Sequence, residues 1–135
     1  MRRTPMKRKR STARKRTAPR FERETWDEAT MLLWARSRGL CERCGDAEPT
    51  ERHHRKRRRD GGDRLCNLLF LCTGCHREIT DQPESVTRAR ALGYIVPALG
   101  IAEPETYAVL LWGSTWVLLD DDGKAVACDP PSWAT

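Results

Sequence analysis

No stretch of the sequence approaches the roughly 18 consecutive apolar residues of a membrane span, and its opening residues lack the apolar core of a secretory leader. The chain therefore reads as soluble and intracellular. It has no internal repeat, and 135 residues leave no room for two full cores, so one domain, or a small domain with appendages, is expected. No acid occurs among the first twenty residues, and no histidine occurs outside positions 53 to 76.

Those first twenty residues hold ten Lys and Arg, which leaves 15 basic against 19 acidic residues, about −4, for the remainder of a chain whose net charge is +6. The basic character is thus a property of the tail, with a second cluster at Arg55 to Arg59. So dense a block of like charge stays solvated and suits a polyanion such as nucleic acid. A merely solubilising arm or a nuclear localisation signal is the blander reading.

Six cysteines are many for this length, and four form two Cys-x-x-Cys pairs, Cys41/Cys44 and Cys72/Cys75, with 27 residues between the pairs. Thiolates two residues apart can face one ion, and two such pairs fill the tetrahedral shell of Zn²⁺. A disulfide framework is the alternative, disfavoured by the missing leader and the paired spacing. Cys66 and Cys128 are left over and read as ordinary small or semi-buried residues.

Along the chain, residues 1–20 read as a disordered basic arm, 21–80 as the principal domain and 81–135 as a C-terminal extension. A capping box of Thr25 and Glu28 predicts a helix from Thr25 to Gly39, with Trp26, Ala29, Leu33 and Trp34 on its core face. "LCERCGD" is a knuckle, residues 51–57 a strand carrying the histidines, "RRDGGDR" a loop, "NLLFLC" a strand buried on both faces, and "TGCHREIT" the first turns of a helix. A further helix starts around Asp81, Pro83 and Glu84 and runs to Gly93; "TYAVLLW", "TWVLLD" and "AVAC", separated by "GS" and "DDGK", predict a β-meander. Trp112, Trp116 and Trp133 are expected in a core rather than as stacking platforms for bases.

Two readings compete for "RHHRKRRRDGGDRLCNLLFLCTGCHREI", residues 52 to 79. In one, the cysteines bind Zn²⁺, the histidines are surface residues, and the module is a non-catalytic zinc ribbon that binds nucleic acid. In the other, the cysteines are scaffold, and His53, His54 and His76 with Asn67 form a separate site. The second is favoured because four thiols already fill a tetrahedral site, yet every histidine of the chain lies here. Neighbouring side chains on a strand point to opposite faces, so His53 and His54 cannot both bind one ion from regular β-structure. On a helix, His76 points about 100° away from Cys75, and one helix can serve two sites.

The order His-His, Asn, Cys-x-x-Cys-His over residues 41–79 resembles the HNH endonuclease family, and the whole chain is similar to its small bacteriophage-encoded members, notably in "CERCG", "HHRKRRRDGG", "NLLFLCTGCHREI", "RARALGYIV" and "WVLLDDDG". The resemblance implies a small α+β fold with a ββα-metal core and a Cys₄ zinc site. It implies metal-dependent hydrolysis of phosphodiester bonds in double-stranded DNA, by nicking or double-strand cutting, leaving 5′-phosphate and 3′-hydroxyl ends. His54 would be the general base, His53 and His76 the ligands of a catalytic divalent ion, and Asn67 the residue that orients His54 through its side chain or the local backbone. Cys41, Cys44, Cys72 and Cys75 would hold structural zinc. A bacterial host cytoplasm and phage packaging or other DNA-processing proteins as partners follow from the same likeness.

The chemistry of the residues agrees with that assignment. Two neutral imidazoles leave most positions on a divalent ion open for phosphate and water, whereas a closed Cys₄ site has none to spare. Two histidines in place of a carboxylate favour Mn²⁺, Ni²⁺ or Zn²⁺ relative to Mg²⁺. Cys66, directly before Asn67, could compete for metal or sensitise the site to oxidation. Arg55, Lys56, Arg57, Arg58, Arg59 and Arg64 border the site and are expected on phosphates, giving affinity with little sequence preference.

Overall fold

The computed structural model describes residues 26–81, 83–98 and 102–134; the basic arm and Thr25 lie outside them. Helix α1 spans Glu28–Ser37 and is capped by Asp27, whose carboxylate accepts the Thr30 N–H at 2.8 Å. The helix therefore starts three residues beyond the expected position. It ends on Arg38 and Gly39, both at positive φ (58° and 70°). Its Leu33 is buried with Leu65, Leu68 and Phe70, and Trp26, Ala29 and Trp34 pack against them, so the expected core face is the observed one. The Trp26 and Trp34 rings lie 5.4 Å apart.

Strand β1 (Glu51–His54) pairs antiparallel with β2 (Leu68–Leu71), placing His53 opposite Leu69 and His54 opposite Leu68. All four β2 residues are buried, as the apolar run predicts. Leu68 and Phe70 face α1, while Leu69 and Leu71 face a second cluster on the other side. β1 stops at His54 rather than residue 57 because the main-chain groups of Lys56 pair with the Asn67 side-chain amide in place of a backbone partner. The chain then makes a single helical turn, α2 (Arg58–Gly61), and a 3₁₀ turn (Leu65–Asn67) before β2.

Helix α3 (Thr73–Asp81) buries Cys75 and Ile79, and α4 (Pro83–Ala91) packs against it. Strands β3 (Val109–Leu111), β4 (Thr115–Leu119) and β5 (Ala125–Ala127) form the antiparallel meander read from the sequence. The second cluster unites Cys41, Leu69, Leu71, Cys75 and Ile79 with Tyr94, Val109, Leu111, Val117 and Leu119, so one core runs from the knuckle through the meander. Gly93, at φ +84°, allows the meander to approach; a Cβ there would lie 2.0 Å from the Ala108 carbonyl oxygen. Trp112 packs on this cluster, but Trp133 is 48% exposed and stacks on Tyr107, which corrects its expected place in a core. No helix of the described residues is long and apolar enough to cross a membrane.

Two buried guanidinium groups tie the layers together. Arg36 makes a bidentate pair with Glu42 (2.7 and 2.9 Å) and donates to the Leu65 and Leu68 carbonyls. Glu42 in turn accepts the Phe70 N–H. Arg55, 2% exposed, donates to the carbonyls of Gly93, Cys66, Pro104 and Tyr107. Arg55→Met is expected to destabilise the fold by about 3–5 kcal/mol, because four carbonyls, three of them in buried bonds, lose their donor. Arg55→Lys should recover little, since one ammonium cannot span the four carbonyls. An unchanged denaturant midpoint for either variant would refute this role.

Candidate metal centre and histidine cleft

Two tight turns bring the four thiols together. Cys41 N–H donates to Ala47 O at 2.7 Å and Gly45 N–H to Cys41 O at 2.9 Å, closing the first knuckle with Gly45 at positive φ. At the second, Cys72 and Cys75 flank the start of α3, and the Cys75 N–H points at Cys72 Sγ, 3.5 Å away. All four Sγ atoms lie within 4.8 Å of one another, and no imidazole belongs to the group. Burial pushes the Cys41 and Cys75 thiols up. For Cys44 burial acts the same way but is outweighed by hydrogen bonds from the Asp46 and Ala47 main chain and from Cys41 and Cys75, leaving it at about 7. The cluster can hold a structural metal ion, and a closed set of soft sulfur donors suits zinc.

The histidines form a separate arrangement. His53, on the β1 face toward α3, is 6% exposed, and its Nε2 lies 2.7 Å from the Tyr94 carbonyl oxygen. A carbonyl only accepts, so Nε2 carries the proton and Nδ1 keeps its lone pair. Burial, reinforced by the neighbouring His76 and His54, depresses the His53 pKa to about 4 against the opposing pull of the Tyr94 carbonyl, so the ring is neutral at physiological pH. His76, on α3, gives its Nδ1–H to Glu51 Oε2 at 2.7 Å. The two rings are 5.1 Å apart at 67°. Nδ1 of His53 and Nε2 of His76 have no hydrogen-bond partner among the described residues.

His54 points to the other face of β1. Its Nε2 lies 2.7 Å from Asp63 Oδ1, while Asp63 Oδ2 accepts from Arg58 at 2.9 Å. The hydrogen bond from His54 holds the Asp63 carboxyl below its ordinary range. His53 and His54 both line an open cleft of about 250 Å³, with Arg57 and Arg90 on its rim and Ile95 and Val96 in its wall. Asn67 is fully buried, and its side-chain hydrogen bonds go to Lys56 and Gly62 rather than to His54. Its Oδ1 accepts from Lys56 N–H (2.7 Å), its Nδ2 donates to the carbonyls of Lys56 and Gly62 (both 2.9 Å), and its own carbonyl accepts Arg55 N–H (2.8 Å). It sets the backbone immediately after His54.

The expected phosphate contacts divide. Arg57, Arg58 and Arg59 are exposed. Arg55 and Lys56 are buried, one on four carbonyls and the other on Ala102 O, so neither faces a phosphate; this corrects the expectation for both. Arg64 is held by Asp121 and Glu105. Cys66 lies with those same two acids, and burial, then Asp121, pushes its thiol up to about 12. The Cys66 Sγ clusters with these acids and not with the four thiols, although the residue packs in the same core.

Sequence reasoning missed Glu51, Asp63 and the Tyr94 carbonyl as partners of the three imidazoles. Glu51 was within reach: it precedes His53 by two strand positions and so shares its face. Tyr94 and Asp63 left no comparable signal. The chain matches no protein-family model, no curated protein and no solved structure.

Cys72→Ser and Cys41→Ser are expected to lose both the bound ion and cooperative folding, measured by elemental analysis and thermal melting. His76→Ala should keep both. Acid should release the ion, because each thiol must be deprotonated to bind it. A Cys72→Ser protein that melts like wild type without metal would overturn the structural role of the cluster.

Proposed function

We propose that this protein is a metal-dependent DNA endonuclease of the HNH type, hydrolysing phosphodiester bonds in duplex DNA. The observation that supports this best is the pair His53 and His76. Each gives one ring N–H to an oxygen of the protein and leaves the other nitrogen as a lone-pair donor. That is the arrangement in which histidines ligate metals, the second nitrogen fixing tautomer and ring orientation. A divalent ion held there supplies positive charge to the phosphate and to the departing 3′ oxygen.

His54 takes the proton of the attacking water. With Nε2–H committed to Asp63, its Nδ1 is the atom that accepts the proton, and the same hydrogen bond holds the ring in that tautomer and orientation. Asn67 keeps the segment after His54 from shifting by binding both main-chain groups of Lys56. The thiol cluster, with structural zinc, fixes the start of α3 and therefore the position of His76, one residue after Cys75. Neutral His53 lends the ion no charge of its own, which favours Mn²⁺, Ni²⁺ or Zn²⁺ over Mg²⁺.

The purified protein should convert supercoiled plasmid to nicked or linear DNA with Mn²⁺, Ni²⁺ or Mg²⁺ and stop on addition of EDTA. His54→Ala should slow cleavage by at least about 100-fold. A His54→Ala protein that cuts at the wild-type rate removes His54 from the mechanism, and DNA binding without cleavage under every metal would establish the non-catalytic zinc-ribbon alternative. Glu51→Gln should weaken Mn²⁺ binding at the paired histidines by about 10- to 100-fold in calorimetry while leaving the thiol-bound ion in place. Unchanged Mn²⁺ affinity would show that Glu51 does not support a ligand.

A further inference from the structure

Five surface arginines are already paired with acids: Arg43 with Glu78, Arg52 with Asp27, Arg58 with Asp63, Arg59 with Asp60, and Arg64 with Asp121 and Glu105. Exposed Arg38, Arg77 and Arg88 form no ion pair among the described residues but do not line the histidine cleft. Arg57 and Arg90 are both exposed, have no acidic partner among the described residues, and line the cleft that contains His53 and His54. They come from different parts of the chain, Arg57 from the turn after β1 and Arg90 from the last turn of α4. Two unneutralised guanidinium groups on one cleft repel each other, a cost that a polyanion bound there removes.

Arg90 is also firmly mounted. The closing carbonyls of a helix have no partner within it, and at the end of α4 two aromatic donors supply partners. Tyr107 Oη–H donates to Arg90 O at 2.8 Å and Trp133 Nε1–H to Ala91 O at 3.1 Å. The two rings stack at 5.1 Å and 26°. Residues on either side of the meander, Tyr107 before it and Trp133 after it, thus fix the helix end that presents Arg90 to the cleft.

The geometry points to Arg90 and Arg57 as a two-point clamp on the DNA phosphates beside the histidine cleft, with Arg90 replacing the contacts that buried Arg55 and Lys56 cannot make. A planar guanidinium suits this task because it meets two phosphate oxygens at once. The inference takes from the proposed function only that the partner is duplex DNA; it does not require cleavage.

The test is fluorescence anisotropy of a labelled 20-base-pair duplex across a salt series, without added divalent metal. Each of Arg90→Ala and Arg57→Ala should weaken binding by about three- to tenfold and make the slope of log K against log salt shallower by about 0.9, one phosphate contact apiece. Arg90→Lys should recover the slope, a result that a purely structural role would not produce. Lys124→Ala, at the meander groove, should match wild type. A folded Arg90→Ala protein with wild-type affinity and slope overturns the clamp, as does failure of lysine to recover the slope. The plasmid assay is read separately. Cleavage with an unchanged Arg90→Ala slope sinks the clamp alone, and a shallower slope without cleavage sinks the nuclease alone.

Discussion

The guanidinium of Arg55 is the constraint on which the rest of this architecture depends. It follows His54 directly and takes carbonyls from three separate stretches of chain: Cys66 before β2, Gly93 after α4, and Pro104 with Tyr107 before β3. No carboxylate is among these partners. Burial lowers its pKa to about 10, so it remains charged at neutral pH, and the carbonyl dipoles must supply the stabilisation that water would otherwise give. Those acceptors sit where the chain leaves regular structure, and without the donor they would be buried orphans. One side chain thus joins the histidine hairpin, the end of α4 and the approach to the meander, and fixes the histidine strand against both.

The sulfur cluster fixes the other side. Cys75 and His76 are neighbours on α3, so the helix start is held by the thiol turn while the next residue faces β1. The two sets differ in exposure. Cys41 and Cys75 are sealed in the core, whereas His54 opens onto a cleft. His53 lies between: its body is buried and neutral, held by Tyr94 from beyond α4. Residues after position 80 therefore supply the acceptor for His53, two acceptors for Arg55 from the loop before β3, and a wall of the cleft. The meander shares their core, so it is packed into the framework that aligns the histidines.

Local signals in the sequence were readable wherever their physical cause is local. Cysteine spacing foretold the thiol cluster, period-two alternation foretold that His53 and His54 face apart, and two glycine-bearing turns foretold the meander. Failures came where distant residues decide. Arg55 and Lys56 sit in a run of five basic residues that looks solvated, and only carbonyls up to 52 positions away make a buried guanidinium tolerable. At α1, Thr25 and Glu28 offer a capping box, but Asp27 reaches the Thr30 N–H directly and starts the helix later. Trp133 looks like core by composition, yet its indole N–H has a helix-end carbonyl to satisfy, and that keeps the ring at the surface.

The run of five basic residues changes direction at one point, and Asn67 determines where. Regular pairing of β1 with β2 ends at His54 opposite Leu68, which would leave Lys56 with both main-chain groups unpaired. The Asn67 amide supplies an acceptor for the Lys56 N–H and a donor for its carbonyl, acting as one further rung of the ladder with side-chain atoms in place of backbone. That rung keeps residues 55 and 56 in the strand's path and inside the protein. Beyond it the chain is free to turn into α2, whose Gly61 leaves room for the amide: a Cβ there would come within 2.6 Å of Asn67 Nδ2. An aspartate would keep the acceptor and lose both donors, and a leucine would keep only the volume. Asparagine carries both functions in one planar group, so the same residue that ends the strand separates the arginine that holds the fold from the arginines that face solvent.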